Sequence, residues 1–238
     1  MPDTAIIMVA YNEPLIAETT FKIWHAANVP IYVFFDGTRP EYANHLANYR
    51  VILASLKAPI FLLDAGTVRK GYARAMKDAM LWMNSYTNYS DILVTDSDDS
   101  YSPEHIKFII EGTDTNVSGT RLRTHEAFWR KGYIKCEGII MKLLFGIKMI
   151  DYTAVCRKIP LPWAAAVASK MQYSQKSFWL EFDARWHHLG YPSHKEIAVD
   201  YYPHTSKIYS PTKMPRIILS ELKALLRTRW DFFREAWR

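Results

Sequence analysis

Asp96, Ser97, Asp98 and Asp99 stand in an unbroken row directly after the short strand-like run Ile92–Thr95. Carboxylates held side by side repel one another unless they are solvated or a cation lies between them. In an extended segment side chains alternate with period two, so Asp96 and Asp98 point the same way. That spacing suits a hard divalent ion, Mg²⁺ or Mn²⁺, which takes carboxylate oxygens and keeps coordination positions open for phosphate. The competing reading is an acidic turn ahead of the helix that Ser102-Pro103-Glu104 opens, with Ser102 as N-cap and Pro103 in the first turn. Two further polar groups follow apolar runs in the same way: Tyr11-Asn12-Glu13 after Thr4–Ala10, and Asp36-Gly37-Thr38 after Pro30–Phe35.

The elements that must position these groups are legible from the pattern. Short apolar strands are expected at Thr4–Ala10, Pro30–Phe35, Pro59–Leu63 and Asp91–Thr95. Helices are expected over Glu13–Ala27, Pro40–Leu56 and Lys70–Met83, the last with Ala73, Met76, Met80 and Met83 inward. Strand and helix thus alternate four times, and the strands are apolar throughout rather than alternating. This predicts an α/β domain of three layers, with a mostly parallel central sheet covered on both faces. In such sheets ligands bind beyond the carboxyl ends of the strands, which is where all three polar groups fall. No GxGxxG follows the first strand and no GxxxxGK[ST] occurs, which argues against dinucleotide and P-loop sites.

The second half is less regular. Asn116–Leu122 reads as a strand ending near Arg121. The stretch Arg121–Lys135 mixes Arg121, Arg123, Arg130, Lys131 and Lys135 with Phe128, Trp129 and Tyr133. It is either an anion-binding, interfacial segment or an exposed amphipathic helix. Gly138–Phe145 is apolar, and Asp151-Tyr152-Thr153 closes the next short element. Ser177–Leu189 is expected to be a helix carrying Glu181 and Asp183, stopped by Gly190. Glu196–Tyr202 alternates like a strand, and a polar loop with His204, Ser206 and Lys207 follows. Pro215–Arg238 is expected to form one amphipathic helix, with Ile217, Ile218, Leu222, Leu225, Leu226, Trp230, Phe233 and Trp237 on one face and Arg216, Lys223, Arg227, Arg229, Arg234 and Arg238 elsewhere. Such a helix fits a membrane interface, docking on the domain, or a second copy of the chain, which would make a homodimer.

Bulk properties bound the function. The 238 residues suit one large domain or two small ones, and 49% hydrophobic content is enough for a sizeable core. A net charge of +6 favours anionic partners: nucleotides, phosphates or an anionic membrane surface. Nucleic acid is not expected, because the cations follow no recognition motif. Cys136 and Cys156 match no metal spacing and read as two reduced thiols. With no signal peptide and no transmembrane run in view, the expected location is cytoplasmic, with peripheral attachment to the cytoplasmic face of a membrane as the variant.

Taken together these motifs resemble the GT-A glycosyltransferases of family 2, and among them the dolichyl-phosphate mannose synthases most. VAYNE (Val9–Glu13) is similar to the family's PTYNE, and FDGTRP (Phe35–Pro40) sits where the family has DDxSxD. KGYARAM (Lys70–Met76) is similar to its Gly-rich helix start, and TDSDDSYSPE (Thr95–Glu104) to MDADLQHPPE. SGTR (Ser118–Arg121), DYTAVCRK (Asp151–Lys158), WLEFDARWHHLGY (Trp179–Tyr191) and YPHTSK (Tyr202–Lys207) are similar to later motifs of the synthases. Ser100 stands where the synthases have a metal-binding Gln, and Ile134 where they have a Ser of the acceptor segment.

The resemblance implies a Rossmann-like GT-A domain over 1–212, a nucleotide-sugar half at 1–115 and an acceptor half at 116–212, followed by the amphipathic helix at 213–238. It implies transfer of a hexose, with inversion, from a nucleotide diphosphate sugar such as GDP-mannose or UDP-glucose to a polyprenyl or dolichyl phosphate. A glycan or protein hydroxyl is the alternative acceptor. Val9, Tyr11, Glu13, Asp36, Gly71, Arg74, Asp96, Ser97, Asp98, His204 and Lys207 are then expected at the nucleotide sugar, with Mn²⁺ or Mg²⁺ on Asp96 and Asp98. Arg121, Arg130 and Lys207 would gather acceptor phosphate. Asp151, Glu181 and Asp183 are the candidate bases if the acceptor is a hydroxyl. The rival readings are a non-catalytic nucleotide- or membrane-binding scaffold and a nucleotidyltransferase.

Overall fold

The structure, a computed structural model, describes residues 3–11, 16–36, 47, 50, 51, 54, 58–64, 70–122, 128–172, 178–202 and 214–237. The first strand, β1 (Thr4–Ala10), is buried along its whole length. Its alternate residues feed two separate cores: Ala5, Ile7 and Val9 face one, and Ile6, Met8 and Ala10 the other. A strand apolar on both faces needs cover on both, and it has it. Helix α1 (Ile16–Ala27) leads to β2 (Ile31–Phe35), and β3 (Ile60–Asp64) pairs with β2 in parallel. Helix α2 (Tyr72–Tyr86) buries Ala73, Met76, Met80 and Met83, the inner face expected from their spacing. Strand β4 (Asp91–Val94) runs parallel to β1 on its other side. The predicted helix over Pro40–Leu56 falls largely outside the described residues; 47, 50, 51 and 54 are helical.

Ser102 is the N-cap of α3 (Pro103–Glu111) with Pro103 in its first turn, as the sequence predicts, although the Ser102 hydroxyl donates to the Glu104 carboxylate and its oxygen accepts no backbone amide of the helix. Beyond it come β5 (Val117–Leu122), α4 (Phe128–Phe145), β6 (Arg157–Pro160), α5 (Leu161–Lys170), α6 (Phe178–His188), β7 (Lys195–Asp200) and α7 (Met214–Ala236). The seven strands are ordered β3-β2-β1-β4-β6-β5-β7. Only β6 runs antiparallel to its neighbours, β4 and β5. Helices α2, α5 and α6 cover one face of the sheet, and α1 and α3 the other. Cys136 is exposed, Cys156 is buried, and the two are not paired.

Strand β6 and helix α5 were not expected from sequence. In β6 the chain reads Arg157-Lys158, two cations that resemble surface residues, yet both are buried. Each is satisfied by backbone oxygens. Lys158 Nζ donates to the Ile110 and Gly112 carbonyls at 3.0 and 2.8 Å, which caps the C-terminal end of α3. Arg157 donates to the carbonyls of Ala154 and Tyr152, each at 2.8 Å, and to Asp183 of α6 at 2.5 Å. At Gly119 of β5 an added Cβ would lie 3.0 Å from the Cys156 carbonyl oxygen, so only glycine lets β5 approach the start of β6 this closely.

Helix α7 docks on α4 and α6 through Ile217, Leu225 and Phe232. At that junction Tyr133 of α4 donates its hydroxyl to Glu221 of α7, beside Glu137. Burial drives the Glu137 carboxyl up from its ordinary 4.5 to about 8; the nearby Glu221 and Asp151 carboxylates add to this, while Tyr133 and Arg121 oppose it.

Two measurements follow from these buried charges. Arg157→Met leaves the Asp183 carboxylate buried beside no guanidinium and should lower stability in urea unfolding by about 3–5 kcal/mol, whereas the double change Arg157→Met/Asp183→Leu should recover most of it. Glu137 holds its proton more tightly folded than unfolded, so it adds stability below about pH 4.5 that is lost as pH rises through about 8. Glu137→Gln should therefore remove a decline of about 1.4 kcal/mol per pH unit across that window, and thermal unfolding at pH 5 and pH 8 should show the variant gaining on the native chain as pH rises.

Candidate active site

Three parallel strands, β2, β1 and β4, bring their carboxyl ends together. The Asp36 amide donates to Ala10 O at 2.8 Å, and the Thr95 amide to Ile7 O at 3.1 Å, which fixes the two flanking ends against β1. Ser97 then donates its hydroxyl to Val9 O at 3.2 Å, tying the acidic loop to the same strand. The polar groups read from three separate stretches therefore share one edge, with Tyr11 half-buried at its centre.

Within the acidic loop, Asp96 and Asp98 are both half-exposed, while Ser97 and Ser100 between and after them are buried. This is the period-two alternation the spacing predicts, continued past the end of β4. Asp98 is preorganised: the Ser100 amide donates to its Oδ1 at 3.2 Å and the Ser100 hydroxyl donates to the same atom. Both bonds fall on Oδ1. Asp99 adopts a left-handed backbone conformation (φ 61°), which turns its side chain out of the row to meet Lys22 Nζ at 3.1 Å. Two carboxylates are thus presented and the third is diverted to a surface lysine. Among the described residues no group of three His, Cys, Asp or Glu converges in the manner of an all-protein metal cage. A pair of presented carboxylates, hard oxygen donors both, fits an ion that takes its remaining ligands from phosphate and water.

Asp36 follows β2 at the same edge. It is buried, and its two oxygens accept the amides of Lys70 (2.6 Å) and Gly71 (2.9 Å). It pins the entry to α2, where Gly71 takes φ 91° as N-cap. Among the described residues, chain neighbours apart, no atom lies within 4 Å of where a Gly71 side chain would begin. Arg74, one turn into α2, is exposed, and Lys70 pairs with Asp78 at 2.9 Å.

In the other half the charged candidates sort into buried ion pairs. Arg121 grips Asp151 with two bonds, Nε to Oδ2 at 2.7 Å and Nη2 to Oδ1 at 2.8 Å, and donates to Thr153 Oγ1. Burial opposes the guanidinium charge, but Asp151 outweighs it and keeps Arg121 protonated. Its guanidinium also lies 5.0 Å from the centre of the Tyr201 ring. Glu181 accepts from Arg185 Nε at 2.8 Å and from the Gln172 amide at 2.9 Å. Asp183 accepts from Arg157 and stands 3.4 Å from His194 Nε2. Burial alone would raise its pKa; Arg157 and His194 overcome that and hold it below the usual carboxylate range. Asp151, Glu181 and Asp183 are therefore not gathered round the acidic loop as free carboxylates.

Sequence reasoning missed the strap that joins the two halves. Tyr101, directly after the acidic loop, forms an antiparallel bridge with Tyr201, and the Tyr202 amide donates to Ser100 O at 2.9 Å. The chain leaving β7 thus crosses over the end of β4. Two tyrosines in sequences rich in tyrosine carry no signal that would mark this contact. Glu13, His204 and Lys207 lie outside the described residues, as does the side chain of Arg130, which sits in the first turn of α4.

No protein-family model matches the chain, and no curated protein matches its sequence. Solved structures do match in shape. Glucosyl-3-phosphoglycerate synthase from Mycobacterium tuberculosis, in complex with Mn²⁺, UDP-glucose and phosphoglyceric acid, is 11% identical with a TM-score of 0.62, covering 93% of this chain and 79% of that one. A mannosyltransferase from Pyrobaculum calidifontis, in complex with GDP-Man and Mn²⁺, is 14% identical with a TM-score of 0.53, covering 99% and 75%. S. aureus TarS 1–349 is 12% identical with a TM-score of 0.53, covering 98% and 73%. At these identities the likeness is one of fold. The chain is similar to GT-A-type glycosyltransferases in architecture, a Rossmann-like α/β domain with a mostly parallel sheet.

Proposed function

We propose that the chain is a metal-dependent glycosyltransferase that takes a hexose from a nucleotide diphosphate sugar. The observation that carries this reading is the presented pair Asp96 and Asp98, held by Ser97 and Ser100 at the joined ends of β1, β2 and β4. Neighbours of the same fold, solved with Mn²⁺ and UDP-glucose or GDP-Man, support the donor class and the metal. Asp98, with Asp96, would hold Mn²⁺ or Mg²⁺. The ion, when bound, supplies charge neutralisation to the departing nucleotide diphosphate. Tyr11, at the end of β1 beside Val9, would meet the nucleoside, and Glu13, outside the described residues, is expected to join it. Asp36 acts by positioning: it orders the Lys70 and Gly71 amides at the start of α2, beside which Arg74 offers a cation.

The acceptor we favour is an ionised phosphate, as in a polyprenyl or dolichyl phosphate, over a glycan or protein hydroxyl. A hydroxyl needs a base near the reacting atoms. Among the described residues, the three carboxylates considered for that task are each buried against an arginine: Asp151 with Arg121, Glu181 with Arg185, Asp183 with Arg157. A phosphate is already charged near neutral pH and asks only for cations, for which Arg130 and Lys207 are the candidates. Arg121, neutralised by Asp151, orients the acceptor half rather than meeting the phosphate itself.

Thermal unfolding with GDP, UDP and their sugars, with and without Mn²⁺, tests the donor half of this reading. A ligand at about 100 times its dissociation constant should stabilise the native chain by roughly 2.7 kcal/mol, with one nucleotide only and only with the metal. Asp98→Ala should lose that shift, keep its own unfolding temperature, and lower sugar transfer by about a hundredfold or more. Absence of any shift with every nucleotide would overturn the proposal in favour of a scaffold.

A further inference from the structure

Helix α7 has two apolar faces where the sequence suggested one. Ile217, Glu221, Leu225, Thr228 and Phe232 recur at three- and four-residue steps and are buried against α4 and α6. Leu226, Trp230, Phe233 and Trp237 also recur at such steps, with Leu219 seven residues earlier on the same face, but they are exposed, from 50% at Leu226 to 78% at Trp237. At about 100° per residue the second stripe lies on the far side of the helix from the first, facing away from the domain. Trp230 stacks on Phe233 with ring centres 5.9 Å apart, and Phe233 meets Trp237 at 5.7 Å, so the aromatic end is a continuous ridge.

Charge is sorted about this ridge. Arg216, Lys223, Arg227 and Arg234 fall along one flank and Arg229 along the other, and all five are exposed. The acids are turned back towards the protein: Asp231 pairs with Arg185 at 3.5 Å and with Arg234 at 2.8 Å, Glu235 meets His188 at 3.1 Å, and Glu221 is in the docked face. No described helix is long and apolar enough to cross a membrane. An outward ridge of Leu, Trp and Phe with cations beside it is what a helix lying in the plane of a bilayer interface requires. Tryptophan favours the boundary between headgroups and acyl chains, and each adjacent cation gains from an anionic surface. A second copy of the chain is the poorer occupant, because a two-fold contact through this patch would set its cations against the same cations.

We infer that the outward face of α7 docks on an anionic lipid surface, with Leu226, Trp230, Phe233 and Trp237 inserted and the arginine flank on the headgroups. This stands on α7 alone and holds whichever sugar donor or acceptor the site takes. The test is co-sedimentation of the full chain with phosphatidylcholine vesicles, with and without phosphatidylserine, in the absence of nucleotide. Binding is expected to vesicles containing phosphatidylserine, with a blue shift of tryptophan emission, and to weaken as salt is raised. Replacing Arg216, Lys223, Arg227 and Arg234 by Gln should weaken it by roughly fivefold for each cation removed. Trp230→Ala/Phe233→Ala/Trp237→Ala should abolish it while leaving the unfolding temperature unchanged, since these side chains are exposed. Failure of the native chain to sediment with either vesicle would overturn the inference, as would equal binding by both variants. A dimer in sedimentation velocity that the aromatic variant disperses, without vesicle binding, would assign the ridge to a second copy.

Discussion

Arg157 is the interaction on which the second half of the molecule depends. Its guanidinium is buried in the middle of the sheet, under the ring of Trp179, and reaches three elements at once: the 151–154 turn through two carbonyls, α6 through Asp183, and β6 through its own backbone. Burying a charge is costly unless it is paired and hydrogen-bonded, and here each of the three guanidinium nitrogens meets an oxygen of Asp183 or of a carbonyl. The arrangement fixes where the 151–154 turn sits, and that turn delivers Asp151 to Arg121. The 151–154 turn, the Arg121–Asp151 pair that it delivers, and α6 are thus tied together through one guanidinium.

Among the described residues, the carboxylates that the sequence offers as site candidates fall into two populations, and the division explains the site better than their count does. Asp36, Asp151, Glu181 and Asp183 are buried and committed to amides or arginines, so they act as fasteners. Asp96 and Asp98 are the ones left partly open, and two serines hold them so. Serine at positions 97 and 100 is short enough to fold back on Val9 O and on Asp98, which stiffens the loop without competing for its outer face. On the proposed reading, in which the loop receives a cation and a diphosphate, this rigidity means that its acceptor oxygens need no rearrangement when the ligand arrives.

The described elements among the first 115 residues were legible because continuous apolar strands and a Met/Ala helix face obey simple periodicities, and β1 was read to the residue. The DSDD row was legible for the same reason, since its alternation continues that of β4. What escaped was whatever depends on a distant partner. Arg157 and Lys158 look like surface cations until the carbonyls of 152, 154, 110 and 112 are placed round them. Asp36 looks like a ligand group until the amides of Lys70 and Gly71 are brought to it. The Tyr101–Tyr201 bridge spans 100 residues of chain and leaves no local trace. In α7, Ile217 and Trp230 look alike in a linear pattern, and only the docking of one face separates them.

The strand order carries a consequence for how the chain is made. Strands β1 to β4 pair only with one another or with β6, so the first three contacts of the sheet form among neighbours already synthesised. Strand β5, like β1, has both of its partners after it in the chain, here β6 and β7. During synthesis it must wait, with neither edge hydrogen-bonded, while about 35 further residues reach β6 and more still reach β7. Its small and polar residues, Ser118, Gly119 and Thr120, make a poor template for pairing with another chain, which suits a strand that must stand idle before it is used.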